Sequence, residues 1–389
     1  MIEDYLWRKS LALGIIFLFV GTCTIPVIAH GAEQPLPNSR GNWLFVGGSG
    51  PGNYTKIQDA IDNASDGDTV FVYGGIYYER ICIPSAISLI GESKNTTIVD
   101  ALNSSEGILI SLLSDNITIS DFTLRFSGDW GLPRIIISNT YPYQETGNIT
   151  ISNNIFQEDI AWGIYLLRCN FCTITQNIFY LNNYSDGIAL SGGTNCIITD
   201  NLINTFDTGN GNIGIEVSIF YSFISNNSIL SNSAGIELAG SGFNIVSQNY
   251  FYRNKQAIMI DNSYNNSIFE NHIENPFLTL GRNPAIIGIW VMDFSYANDI
   301  ERNFISHFMY GIFLEKSYEN VISKNTFMKN LFHARFSSTG FSSSNIWKEN
   351  YWGRPRILPK PIFGIKNIYY GYPGFIEFDW HPAQKPTIL

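Results

Sequence analysis

Two short phrases, GIEV at residues 214–217 and GIEL at 235–238, each hold one glutamate between apolar neighbours. Apolar and polar residues alternating with period two mark a strand with one buried face, so Glu216 and Glu237 should point outward. If the phrases stack as adjacent strands, their backbones lie about 4.8 Å apart. Two carboxylates roughly 5 Å apart are what a retaining glycosidase uses, one as acid and one as nucleophile. Crowded carboxyls also raise one pKa or attract a cation such as calcium. Asp261 falls on the next phrase, one outward position further along, and Lys255 lies just before that phrase. A lyase would need carboxylates for calcium and a base such as Lys255 or Arg253 to take a proton. The plain alternative is a solvated acidic sheet face, which any stacked column produces.

A second candidate surface comes from aromatic residues in irregular stretches. Asp129 and Trp130 lie in RFSGDWGLP (125–133), Phe206 and Asp207 in NTFDTGNGN (204–212), and Phe277 and Arg282 in ENPFLTLGRNPA (274–285). Trp162 falls in a shorter turn between them, and Trp290 shares the outward column of Glu216 and Glu237. Flat aromatics beside carboxylates and an arginine suit sugar rings, which offer apolar faces and hydroxyl edges. Loops that project from one edge of a repeat structure commonly build its binding surface. The alternative is that these rings pack their own loops.

These groups need a scaffold, and the repeats define it. Asn154, Asn177, Asn201, Asn227, Asn249, Asn271, Asn303, Asn325 and Asn350 recur in steps of 22 to 26 residues, with one step of 32. A glycine or alanine marks each repeat: Gly163, Gly187, Gly214, Gly235, Ala257, Gly288 and Gly311. From each mark to the next Asn is 13 to 15 residues, whereas from each Asn to its mark is 8 to 17. One half of the repeat is therefore fixed and the other half takes the insertions. Apolar residues stand three before and two after each Asn, and one and three after each mark. Runs this short, punctuated by Asn, Gly and Ser, are strands.

Short strands at this period predict an all-β chain, a single-stranded right-handed parallel β-helix of about 11–12 coils. The Asn column should be a structural ladder, with each Asn in the left-handed conformation at its bend and each amide bonded to its neighbours. The expected organisation is an N-terminal signal or anchor over residues 1–31 and a linker and cap over 32–66. The β-helix follows over 67–352, and an irregular C-terminal cap over 353–389. An amphipathic helix within YTKIQDAIDNAS (54–65) should cover the first strands, which otherwise expose unpaired edges. Arg8 and Lys9 precede an apolar run from Leu11 to Ala29, a signal-peptide pattern with small residues Ala29 and Gly31 before a cleavage point. An uncleaved anchor is the alternative. Either way the rest faces the outside, and membrane attachment is expected only through this segment. A net charge of −10, without a basic run beyond the first residues, argues against a nucleic-acid partner.

YTKIQDAIDNASDGDTVFVYGGIYYE, followed by ISLIGESKNTTIVD, resembles the opening of NosD-like right-handed parallel β-helix proteins. The Asn and Gly repeats and NYWG at 350–353 extend the resemblance to about residue 353. It implies the carbohydrate-binding and sugar-hydrolase β-helix class, which includes pectate lyases and polygalacturonases, and an extracytoplasmic setting. It carries over no catalytic residue, and the Asp-rich clusters of those enzymes are not visible. The namesake implies copper, and Cys169-x-x-Cys172 is a metal-type spacing. Yet His272, His307, His333 and His381 are scattered, so copper is not expected, and calcium is the only cofactor the acidic face suggests. Cys172 and Cys196 share one register, five residues before a ladder Asn, and are a disulfide candidate. The expected function is glycan binding or envelope structure at the cell surface, with glycan or envelope components as partners. A polysaccharide lyase or glycoside hydrolase is the alternative, and a copper-maturation accessory protein is a third reading.

Overall fold

Residues 223–239 trace one coil: strands Phe223–Ser225, Ser228–Leu230 and Ala234–Ala239. Each pairs in parallel with the coils before and after. Ile224 lies between Ile198 and Val246, Ile229 between Ile203 and Phe251, and Ile236 between Ile215 and Ile258. Repetition of this unit builds three sheets of 13, 12 and 13 strands in the order the coil visits them, here called the first, second and third. This computed structural model describes residues 41–101, 108–125, 135–139, 145–157, 162–182, 185–205, 211–276, 286–338, 344–366 and 376–387. The N-terminal segment of residues 1–31 lies outside them. Among the described residues, no helix is long and apolar enough to cross a membrane.

The apolar positions read from the repeats form the core. Ile174, Ile198, Ile224 and Val246 make one fully buried column, and Phe156 stacks on Phe179 with ring centroids 4.4 Å apart. The mark residue is small because the next coil is close. A Cβ on Gly235 would stand 2.5 Å from the Ala257 carbonyl oxygen and 2.8 Å from Phe251.

The nine Asn residues form a continuous, buried ladder. Asn227 donates its backbone N–H and its Nδ2 to Asn249 Oδ1, both at 3.0 Å, and Asn249 donates likewise to Asn271. The same pair of bonds runs from Asn154 to Asn350. The left-handed residue is one position earlier than expected. Gln176, Asp200, Asn226, Gln248, Glu270, Arg302, Lys324 and Glu349 have φ between 53 and 58°. An L-residue in that region costs about 1–2 kcal/mol. The bend turns the following Asn inward, where its bonds offset the strain.

A second ladder at the corner between the third and first sheets links Asn244, Asn266, Asn298, Asn320 and Asn345. Beside it, Ser241, Ser263 and Ser295 donate and accept in the same sense.

Helix α1 (Ile57–Asp62) covers the N-terminal end, burying Ile57, Ala60 and Ile61. Its first N–H groups, on Ile57 and Gln58, donate to the two oxygens of Glu79 at 2.9 and 3.0 Å. Stacking starts earlier than expected: Trp43–Val46 precedes α1 and pairs with Thr69–Val72. The C-terminal cap is also more regular than expected. Lys360–Lys366 extends the third sheet in parallel, and Ile376–Asp379 pairs with it in antiparallel. Asp379 ends the first ladder: its Oδ2 accepts from Asn350 N, Asn350 Nδ2 and Trp352 Nε1.

The disulfide differs from the expectation. Cys172 and Cys196 do share a register, beside the paired Thr173 and Ile197, but Cys172 is bonded to Cys169 and Cys196 is a free, buried thiol. Cys169 and Cys172 flank the left-handed bend at Phe171 (φ 56°), which brings their Cα atoms to 6.2 Å, within disulfide reach. Cys196 instead directs its sulfur to the Cys169 carbonyl at 3.3 Å.

Candidate functional site

The outward surface of the third sheet carries the predicted column in register. Tyr165 pairs with Ala189, Ala189 with Glu216, Glu216 with Glu237, Glu237 with Met259, and Met259 with Trp290. Asp261 follows Ala239 in the next outward column. Lys255 stands at the corner entering the strand Gln256–Asp261, with its backbone N–H bonded to Asn232. Trp162 opens the strand Trp162–Leu167, so it belongs to the sheet rather than to a turn. Asp129, Trp130, Phe206, Asp207, Phe277 and Arg282 lie outside the described residues.

The structure adds a carboxyl that the pattern did not reveal. Asp186 pairs with Trp162 at the start of its strand. One of its oxygens accepts the Ile213 N–H at 2.7 Å from the next coil. Burial drives its pKa up to about 7; the Ile213 N–H and a side-chain bond from Trp162 oppose the rise, and Glu216 and Glu237 add to it. Glu237 is also raised, first by burial and then by Glu216 and Asp261. Asp261 is raised by burial and by Asp293. Four carboxyls on successive coils thus share one field, and Asp186 is partly protonated near neutral pH.

Strict alternation hides Asp186. Counting back by twos from Glu216 puts Gly214 outside and Ile213 inside. In the structure, Gly214 and Ile215 are both buried and Ile213 is half-exposed. The same break in strand 186–194 turns Asp186 outward. The signal available was compositional: among the residues just before each mark, only Asp186 is acidic.

Aromatic rings bracket the carboxyls along the coil axis. Trp162 and Tyr165 lie 5.6 Å apart on the upstream side. Downstream stand Trp290 and Phe313, with Tyr310 stacked 5.5 Å from Phe313 and Arg335 5.4 Å over the Phe332 ring. The indole N–H of Trp290 is buried without a hydrogen-bond partner. An unpaired buried donor is costly.

A sequence profile described as periplasmic copper-binding protein (NosD) matches residues 61–255, half of the chain. The chain belongs to the NosD family. A second profile, a right-handed β-helix region, matches residues 204–350 of this NosD-family chain. No curated protein matches it. Among solved structures, it is similar to DFA-IIIase from Arthrobacter chlorophenolicus A6 without its lid. That likeness has 14% identity, covers 90% of this chain and all of the other, and has a TM-score of 0.64. It is also similar to the catalytic domain of GH87 alpha-1,3-glucanase in complex with nigerose, with 13% identity, 83% and 66% coverage, and a TM-score of 0.58. At these identities the likeness is one of fold.

The family's description names copper, and the described residues do not fit it. Cys169 and Cys172 are spent in a disulfide, and Cys196 is buried with its pKa raised by that burial. No group of three His, Cys, Asp or Glu among the described residues is placed to hold a metal ion.

Proposed function

We propose that this NosD-family protein acts outside the cytoplasm and binds glycans along the outward face of the third sheet. The carrying observation is the carboxyl group of Asp186, Glu216 and Glu237 bracketed by Trp162 and Tyr165 upstream and Trp290 downstream. Five coil steps separate Tyr165 from Trp290, about 24 Å at the parallel-strand spacing. That length suits an extended oligosaccharide: rings stack on the aromatics, and hydroxyls meet the carboxyls. The periplasmic description of the family supports the location.

The state of Asp186 favours a second reading, glycoside hydrolysis. A carboxyl that is still partly protonated near pH 7 can protonate a leaving oxygen, and carboxylates on neighbouring coils can stabilise or attack the sugar cation. The GH87 alpha-1,3-glucanase domain in complex with nigerose, similar in fold, is consistent with this at fold level only.

The test is retention on a panel of immobilised polysaccharides that includes fructans and α-1,3-glucan. Trp162→Ala and Tyr165→Ala should each weaken retention roughly tenfold, the loss of one stacked ring. Blank retention of folded protein across the panel would sink the binding reading. For hydrolysis, Asp186→Asn should abolish product release while retention persists; an unchanged rate would rule Asp186 out as the acid.

A further inference from the structure

The C-terminal cap carries a surface of opposite character to the third-sheet site and is independent of it. After Trp352 the chain leaves the coil at Gly353 (φ 75°) and runs through GRPRILPKP (353–361) before rejoining the sheet. Ile357 is 96% exposed and Leu358 75%, the two highest values among the exposed large apolar residues described. Pro355 and Pro359 bracket the pair. Proline fixes its own φ and biases the preceding residue to extended backbone, which holds the tip away from the coil.

Basic groups surround this tip. The Lys360 ammonium is pushed down by burial and then by Arg356 and Arg354, so the three cations lie within one another's field. His333 is pushed down to about 4 by burial and then by Lys360 and Arg356, and so is neutral at physiological pH. None of Arg354, Arg356 and Lys360 forms an ion pair with a described residue. Arg356 Nε is buried without a hydrogen-bond partner. Lys360 has only the Trp352 ring, 5.9 Å from its Nζ. Asp379, which faces Lys360 across the antiparallel pair, is already taken by the ladder, and Glu377 accepts the Trp347 indole N–H. Three crowded cations therefore form no ion pair with a described residue, in a chain of net charge −10.

We infer that this cap docks on an anionic lipid surface, with Ile357 and Leu358 entering the acyl boundary and Arg354, Arg356 and Lys360 meeting the headgroup phosphates. Arginine suits phosphate because its planar fork donates two parallel bonds. The aliphatic tip selects lipid over a soluble polyanion, since Ile and Leu gain from hydrocarbon and gain nothing from a uronate chain. A loop of this kind differs from an amphipathic helix, but the same two contributions add: buried apolar area and attraction of basic residues to a negative surface.

The test places a polarity-sensitive fluorophore at the tip of the full-length chain. Leu358→Cys is labelled with Cys23 and Cys82 replaced by Ser. A second probe at Phe294→Cys, exposed elsewhere on the solenoid, reports attachment that does not involve the cap. On phosphatidylglycerol-containing vesicles the Leu358 probe should shift to shorter wavelength and be quenched by lipid-embedded quenchers, and the Phe294 probe should not. Pure phosphatidylcholine should give little response. Arg354→Gln with Arg356→Gln should weaken the apparent partition roughly 25-fold, about fivefold per basic residue. Arg354 is exposed and Arg356 half-buried, and an unchanged circular dichroism spectrum verifies the fold. Equal response on neutral and anionic vesicles, or silence on both with folded protein, would overturn the inference. A shift with soluble polygalacturonate and none with vesicles would replace lipid with an anionic polymer.

Discussion

Asn249→Ala should be among the most damaging single substitutions in the molecule. The Asn249 side chain accepts two bonds from Asn227 and donates one to the Ile224 carbonyl (2.9 Å) and one to Asn271 (3.0 Å). At about 1 kcal/mol net per buried neutral bond, four bonds amount to about 4 kcal/mol. The Asn227 N–H would also be left buried without an acceptor, which adds about 1–3 kcal/mol. The neighbouring Gln248 is the control, because it has the left-handed φ and makes one exposed bond of 3.3 Å to Glu270. Gln248→Ala should cost no more than about 0.5 kcal/mol. A solenoid does not have to unfold in one step, so urea titration should be paired with amide hydrogen exchange. Exchange should quicken most at residues 224–229, 246–251 and 268–273, the rungs that touch the substituted side chain. If the two variants lie within about 1 kcal/mol of each other, the ladder is not the device that holds the bends.

Asp186 and Glu377 both lie near 7 when folded, above ordinary carboxyl values, so the folded chain keeps protons that the unfolded chain releases. Their contribution is fully present below about pH 4 and is lost as pH rises through about 7. His333, lowered to about 4, acts in the opposite sense: its folded form gains relative stability as pH climbs toward 6.5. Asp186→Asn should therefore raise the urea midpoint at pH 8 and change it little at pH 4; no gain at pH 8 would contradict the buried-charge account. Trp290→Ala should weaken glycan retention roughly tenfold, the loss of one stacked ring, and full retention would remove Trp290 from the site. Peptide mapping without reduction should find Cys169 linked to Cys172 and Cys196 as a thiol, whereas a Cys172–Cys196 link would contradict the structure.

The coil was legible because burial repeats. Ile224 and Ile229 recur at fixed offsets from Asn227, Ile236 and Leu238 at fixed offsets from the mark Gly235, and each is fully buried. The pairing of Glu216 with Glu237 followed from counting alone. Periodicity does not say which of two adjacent residues bends, and so the left-handed role fell to Asn227 when it belongs to Asn226. Nor does it register a local break in alternation, which hid Asp186. The second ladder was half visible: positions equivalent to Cys172 and Cys196 hold Ser222, Asn244 and Asn266, but mixed residue types obscured that they form one column. The cap was placed at 353–389, but the pairing within it escaped because its strands pair by a return of the chain, and its basic residues meet only in space.

The first ladder also has a direction. From Asn154 to Asn350, every bond between successive Asn residues runs from a donor on the N-terminal side to an Oδ1 on the C-terminal side. The side-chain amides therefore add head to tail, as peptide dipoles do in a helix, and each bond polarises the next. Such a column presents its positive end at Asn350, where Asp379 stands and, counting the His381 N–H, accepts four hydrogen bonds. Asp379 thus does for this solenoid what an acidic residue does at the start of a helix. A coil inserted or deleted upstream would lengthen or shorten the column without changing how it ends, so the number of coils can vary while the terminus stays electrically closed.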